Sequence, residues 1–317
     1  MKYDRELSAV GRIEGDMPLL IVGADEGQCV QILAQVPADD DTPQSQIYQV
    51  ERAFSLLADF EPEETDPERC QTSQSGEIDI EGIAVEGNTV YVTGSHSRKR
   101  KTIKFGKTYA ANRERHFEVA KEESRAQLFR FTWPLASGEK PERATLFDFF
   151  KENDFFKTFR KVPSKENGID IEGLAVRDGV LYFGFRSPVT RGNLVPILKM
   201  RFGQPENHEI LFVDIGGSGI RGMTAVENGF LILAGPSAEA PGDFGIYFWD
   251  GLEHIPGKGQ VRRTLTHLAE VSTRQGVKPE GITVIDSDGD CHRVLVISDG
   301  AAKGHPRLMK VCSPKVL

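Results

Sequence analysis

Short apolar runs that alternate with polar positions and close on Gly, Asn or Asp turns recur along the whole chain. Glu86-Gly87-Asn88 leads into Thr89-Val90-Tyr91-Val92-Thr93, and Arg177-Asp178-Gly179 into Val180-Leu181-Tyr182-Phe183-Gly184. Asn228-Gly229 precedes Phe230-Leu231-Ile232-Leu233, Asp286-Ser287-Asp288-Gly289-Asp290 precedes Val294-Leu295-Val296-Ile297, and Glu14-Gly15-Asp16 precedes Leu19-Leu20-Ile21-Val22. Period-two alternation broken by such turns predicts β-hairpins rather than helical repeats.

The residues before each turn also repeat. Asp79-Ile80-Glu81-Gly82-Ile83-Ala84-Val85 returns as Asp170-Ile171-Glu172-Gly173-Leu174-Ala175-Val176. Weaker copies are Ile220-Arg221-Gly222-Met223-Thr224-Ala225, Pro279-Glu280-Gly281-Ile282-Thr283-Val284 and, at the start, Asp4-Arg5-Glu6-Leu7-Ser8-Ala9-Val10. Equivalent positions are then 6, 81, 172, 221 and 280, with intervals of 75, 91, 49 and 59 residues. Some hairpins continue into two further strand-like runs: Ile197–Phe202 and Ile210–Asp214 in the third unit, Leu128–Trp133 and Thr145–Phe149 in the second. Four antiparallel strands repeated in tandem describe an all-β single β-propeller. Five blades are expected, at about 4–60, 78–150, 168–215, 218–271 and 277–314, with a charged insertion at 97–127 that holds a short helix around 112–125. A sixth, degenerate blade between 104 and 165 is the alternative. The last blade has little chain left for an outer strand, so it has three strands or is completed by the N-terminus. The polar tract 62–75 reads as a loop rather than a linker.

Composition narrows the class. The 317 residues, 39% hydrophobic and 27% charged, are ordinary for a globular protein and contain no apolar run of membrane-spanning length. The N-terminus lacks the apolar stretch of a secretory signal, which makes the cytoplasm the expected location. A formal net charge of -8 argues against nucleic acid as a partner, and no membrane association is expected. Cys29, Cys70, Cys291 and Cys312 show no metal or redox spacing and are expected to be unpaired core thiols.

Candidate chemistry follows from strand geometry. Residues two apart on a strand share a face, so Asp79 and Glu81 point one way and Ile80 the other. Gly82 and Gly173 suit the innermost strand, where backbones converge. The second strand returns to the face where the first began, which gathers the loops at Asp25-Glu26, Gly94-Ser95-His96-Ser97-Arg98, Gly184-Phe185-Arg186-Ser187 and Ser298-Asp299-Gly300 around one mouth of the channel. Beside them stand Asp79, Glu81, Asp170, Glu172, Arg221 and Glu280. Like charges this close need an offset. A divalent cation held by Asp79, Glu81, Asp170, Glu172 and Glu280 is one, with calcium first and magnesium or manganese behind it. Internal pairing with Arg186 and Arg221 is a second, and hydrogen bonding of the acids to neighbouring blades a third. His96 has the position for acid-base or ligand work, or for a plain surface hydrogen bond. Arg98-Lys99-Arg100-Lys101 is either a phosphate-binding patch or a solvated loop balanced by Glu114, Glu118, Glu122 and Glu123. Asp286 to Asp290 is a turn and not an EF-hand, because Cys291 and Ile297 occupy positions six and twelve.

The Asp-Ile-Glu-Gly-Ile/Leu-Ala-Val units, together with Tyr91-Val92-Thr93-Gly94-Ser95-His96-Ser97, resemble a bacterial propeller family known as a domain of unknown function. The resemblance covers essentially the whole chain, and the units are more distantly similar to phytase-like and esterase-like propellers. That kinship implies a propeller and hydrolysis near a cation, without transferring a catalytic set. The resulting expectation is a cation-dependent hydrolase of an ester or phosphoester, with His96, Glu81 and Glu172 catalytic. Arg98, Arg186, Arg221, Asp25, Glu26 and Asp299 would bind a small anionic or ester-containing molecule. The alternative is a non-catalytic propeller that binds a ligand or protein at the same mouth.

Overall fold

The computed structural model describes residues 6–36, 47–57, 77–136, 138–239, 241–261 and 263–314. Strands β1 (Leu7–Ile13), β2 (Leu19–Ala24), β3 (Cys29–Val36) and β4 (Ile47–Ser55) form a first antiparallel sheet in that order. The second sheet begins with β5 (Ile80–Glu86) and β6 (Thr89–Gly94). An excursion follows, in which β7 (Arg98–Arg100) and β8 (Val119–Lys121) pair around helix α1 (Tyr109–Phe117). The sheet then resumes with β9 (Leu128–Thr132) and β10 (Glu142–Ala144), followed by helix α2 (Phe147–Glu152).

The third sheet is β11 (Asp170–Arg177), β12 (Val180–Ser187), β13 (Leu194–Arg201) and β14 (Gln204–Asp214). The fourth is β15 (Gly219–Val226), β16 (Gly229–Gly235), β17 (Gly245–Trp249) and β18 (Thr266–Glu270). The fifth holds β19 (Lys278–Asp288), β20 (Cys291–Asp299) and β21 (Arg307–Cys312), three strands among the described residues.

The first strands of the sheets contact one another in a closed cycle, β1 to β5 to β11 to β15 to β19 and back to β1. The fold is therefore a five-bladed β-propeller, as the repeats predict. Apolar side chains fill each gap between blades. Phe54 of the first blade meets Phe131 and Trp133 of the second at ring distances of 5.4 and 6.1 Å. Val10, Leu20 and Val22 meet Ile285, Leu295 and Ile297 where the ring closes. Close packing at the axis explains the repeated glycine. A Cβ on Gly82 would stand 2.7 Å from Leu174 Cβ, and one on Gly173 2.8 Å from Ile220 Cγ2.

Three expectations need correction. Residues 147–152 form helix α2 instead of an outer strand, because the Phe149 and Phe150 rings pack onto Phe156 beside the third blade, leaving β10 as the outer strand. The insertion's helix ends at Phe117, and the following residues pair back as β8. The cysteines are not free thiols: Cys291 and Cys312 face each other across β20 and β21 and form a disulfide, and Cys29 is also disulfide-bonded. Cys70 and the tract 62–75 lie outside the described residues.

The Cys291–Cys312 bond staples the last strand to its blade across a 21-residue separation. Loop closure of that length is worth about 3 kcal/mol. A Cys291→Ala/Cys312→Ala variant should unfold at lower urea concentration than the parent, with an unchanged far-UV spectrum before the transition. An equal midpoint would refute the stapling role.

Candidate functional site

Each innermost strand carries a β-bulge at the same place. Pairing slips between Leu7 and Ala9, Ile80 and Gly82, Ile171 and Gly173, Ile220 and Gly222, and Pro279 and Gly281. The extra residues are Ser8, Glu81, Glu172, Arg221 and Glu280, one per blade. A bulge re-aims its side chain out of the alternating pattern, so a single motif position becomes a ring near the channel axis. This corrects the alignment of the first copy: the ring residue of blade one is Ser8, not Glu6. Ser8 also donates its hydroxyl proton to the Ile80 carbonyl, locking blade one to blade two. Asp79 does not continue the strand as the alternation expects. It sits just before β5 with φ of +59°, a conformation that short polar side chains tolerate.

The mouth is a network of carboxylates and guanidiniums. Arg221 Nη1 lies 2.9 Å from Glu172 Oε2 and 3.2 Å from Glu280 Oε1, and Nη2 donates to the Pro236 carbonyl at 3.0 Å. Arg186 pairs with Asp170 through Nη2 and with Glu172 Oε1 at 2.9 Å through Nη1. Asp79 accepts from the Ser95 hydroxyl and from Arg125 Nη1. Arg125 also reaches Glu77 at 3.0 Å and Glu122 at 2.6 Å. Sequence reasoning missed Arg125, which looked like one more charge of a solvated insertion. The excursion folds back and delivers it to the mouth. A Cβ at Gly94 would come within 2.5 Å of the Arg125 carbonyl, so only glycine admits that approach.

Burial raises the pKa of Asp170, Glu280 and Asp79 above the ordinary carboxylate range, with Arg186, Arg221 and Arg125 opposing it in turn. Glu81 is different. It enters no ion pair or hydrogen bond among the described residues. Burial, then the negative charges of Glu172, Asp79, Glu280 and Asp170, push its pKa well up. At the rim, burial and then Asp79 and Asp299 raise Asp25 to about 7. Asp299 pairs with Lys278 at 3.2 Å, while Glu26 stays exposed beside Glu6.

This donor set suits guanidinium better than a metal ion. Asp79, Asp170, Glu172 and Glu280 are each already bound to an arginine, and among the described residues no group of three or more His, Cys, Asp or Glu is arranged to hold a metal.

His96 stands beside the network, not in it. Its Nδ1 donates to the Gly94 carbonyl at 3.0 Å and its Nε2 accepts from the Leu146 amide at 3.4 Å, so both ring nitrogens serve the backbone. Burial lowers its pKa to about 4, which keeps the imidazole neutral.

His96 and Arg98 instead line a cavity of about 570 Å³ on the flank of blade two, enclosed by the β7–β8 excursion, β10, α2 and the approach to β11. Phe147, Phe150 and Ile169 supply apolar wall, Arg98, Arg143, Arg160 and Lys121 supply positive charge, and the two acids in the lining are already paired, Glu122 with Arg125 and Lys99 and Glu123 with Lys121. Arg143 donates to Gln127 Oε1 at 3.2 Å; Arg98 and Arg160 have no carboxylate partner among the described residues. Of the basic run only Arg98 faces this space. Lys99 pairs with Glu77 and Glu122, Arg100 grips Glu166 with Nε and Nη2, and Lys101 pairs with Glu118. Arg143, Arg160 and Phe147 carried no sequence signal, because separate segments bring them together.

A family model matches residues 6–145 and 135–310. The chain belongs to DUF3616, described as a protein of unknown function. No curated protein matches this DUF3616 chain. Among solved structures it is similar to the six-bladed fucose-binding lectin of the fungus Aleuria aurantia, with 11% identity, 96% of this chain and 78% of that one covered, and a TM-score of 0.41. It is also similar to the WD40 propeller domain of Doa1 (11% identity, 98% and 69% covered, TM-score 0.36) and to the Nup133 propeller of Vanderwaltozyma polyspora (10%, 93% and 68%, 0.35). Among the described residues no helix is long and apolar enough to cross a membrane.

The mouth network makes a paired test. Arg221→Met leaves Glu172 sharing Arg186 and removes the ion-pair partner of Glu280, with the Lys278 charge still acting on it, and should cost about 3–5 kcal/mol at neutral pH. Glu81→Gln should do the reverse. A carboxyl whose folded pKa is raised stabilises below its unfolded value and loses that contribution as pH rises toward the folded one. Urea midpoints of Glu81→Gln and wild type should therefore agree near pH 4 and diverge in the variant's favour toward pH 8. A constant difference across that range would contradict the assignment.

Proposed function

We propose that this protein is a ligand-binding propeller, and that its ligand is a small amphipathic anion held in the flank cavity of blade two. One observation carries the reading: Arg98 and Arg160, which have no carboxylate partner among the described residues, line a space shared with Phe147 and Phe150, where the acids Glu122 and Glu123 are already paired. At the channel mouth, by contrast, Arg125, Arg186 and Arg221 are all engaged by carboxylates. The cavity's volume, about 570 Å³, falls inside the ~300–1,000 Å³ of small-molecule sites. Arginines over aromatic surface select a ligand with an anionic head and an apolar body. The neutral, backbone-held His96 forms part of the wall, with Phe150 edge-on at 5.8 Å.

An aromatic sulfonate such as 8-anilinonaphthalene-1-sulfonate reports on such a site by fluorescence. It should bind saturably, and Arg98→Ala and Arg160→Ala should each weaken it at least about tenfold, since a charge-assisted contact is worth ~1.5–3 kcal/mol. Affinity unchanged in both variants would remove the cavity from consideration.

Hydrolysis of an ester or phosphoester at the mouth is the second reading, and Glu81 favours it. A carboxyl with a strongly raised pKa near the channel axis has the proton affinity of a general acid. That scheme asks calcium, magnesium or manganese to displace an arginine from Glu172 or Glu280. Metal analysis of the purified protein checks it: stoichiometric divalent metal that falls in Glu172→Gln supports it, and metal-free protein without esterase or phosphatase turnover on added calcium rejects it.

A further inference from the structure

A second cavity, of about 270 Å³, opens at blade five between the loop 271–277 that enters β19 and the loop 300–306 that enters β21. The two loops are packed tightly. A Cβ on Gly300, which has φ of +79°, would lie 2.1 Å from the Gly276 carbonyl. The space is lined by Arg274, Arg307, His305, Ser272 and Thr273. Arg307, the first residue of β21, uses Nη1 to donate to the Ser272 carbonyl. Its Nε and Nη2 are shut off from solvent and have no hydrogen-bond partner. Guanidinium nitrogens shut off in this way normally face a carboxylate that absorbs their charge; here partial burial of Arg307 lowers its pKa. Arg274 is exposed and also without a partner among the described residues.

We propose that this cavity is a phosphate site, in which Arg307 turns its unpartnered Nε and Nη2 edge outward onto the anion, Arg274 closes over it, and His305 and the Ser272 and Thr273 hydroxyls complete the donor set. The argument is one of complementarity. Two adjacent guanidinium donors match two oxygens of a phosphate in fork geometry. Among the described residues no carboxylate lines the cavity to compete or repel. The space is smaller than the ~300–1,000 Å³ typical of drug-sized ligands, so it suits the phosphoryl group itself more than a large molecule that carries one. The site is independent of the blade-two cavity and stands or falls without it.

Calorimetric titration with inorganic phosphate, at ionic strength held constant with chloride, tests it. Wild type should bind one phosphate saturably. Arg307→Met and Arg274→Ala should each weaken binding at least about tenfold. Arg293→Ala removes the same charge from an exposed position on the same blade, where Arg293 pairs with Asp286, and should leave binding unchanged. Arg274→Ala alters only an exposed side chain, so its result holds even if Arg307→Met folds poorly. Absent saturation, equal affinity in both site variants, or an equal loss in Arg293→Ala would each overturn the proposal.

Discussion

Charge held near the axis of a narrow ring is the constraint on which the rest of the mouth depends. Five innermost strands converge there, glycine removes side-chain bulk between them, and a bulge in each strand turns one residue toward the shared space. Carboxylates placed in this way lose hydration and repel one another. Arginines brought from the fourth blade, from the end of β12 and from the insertion of blade two neutralise them. Buried ion pairs of this kind contribute little net stability, but removing one partner is costly. The network therefore fixes how blades three to five meet more than it deepens the energy minimum.

The same arrangement separates two chemistries. At the mouth, cations are consumed by structure. At the flank of blade two, the insertion that supplies Arg125 to the mouth also builds a wall of the larger cavity, where Arg98 and Arg160 remain available. One excursion thus braces the mouth and shapes the cavity, and Arg100, clamped on Glu166, ties it to the segment before blade three.

Much of the fold was legible in the sequence because the repeat is carried by backbone requirements: turn residues, alternating strands and the axial glycine. The bulge was not legible, since a slip of register leaves no mark on composition, and it moved the first copy from Glu6 to Ser8. Thr145–Phe149 reads as a strand by its apolar content, yet the Phe149 and Phe150 rings find their partners as a helix. The Cys291–Cys312 pair could be seen only once β20 and β21 were in register. Of the site, the acids and Arg186 and Arg221 were visible as motif positions and loop residues. Arg125, Arg143 and Arg160 were not, because their meaning comes from segments that converge in space.

Five positions of which one is a neutral serine could alternate charge without two acids meeting, and this ring does not. In order, the bulge residues are Ser8, Glu81, Glu172, Arg221 and Glu280, so Arg221 stands between two acids and satisfies both. Two acids meet at Glu81 and Glu172. Arg186, from outside the ring, relieves Glu172. Glu81, between a serine and an acid, is left as the seat of the ring's frustration, and the order of the residues, not the number of blades, makes blade two the place where a proton or another positive charge is most welcome.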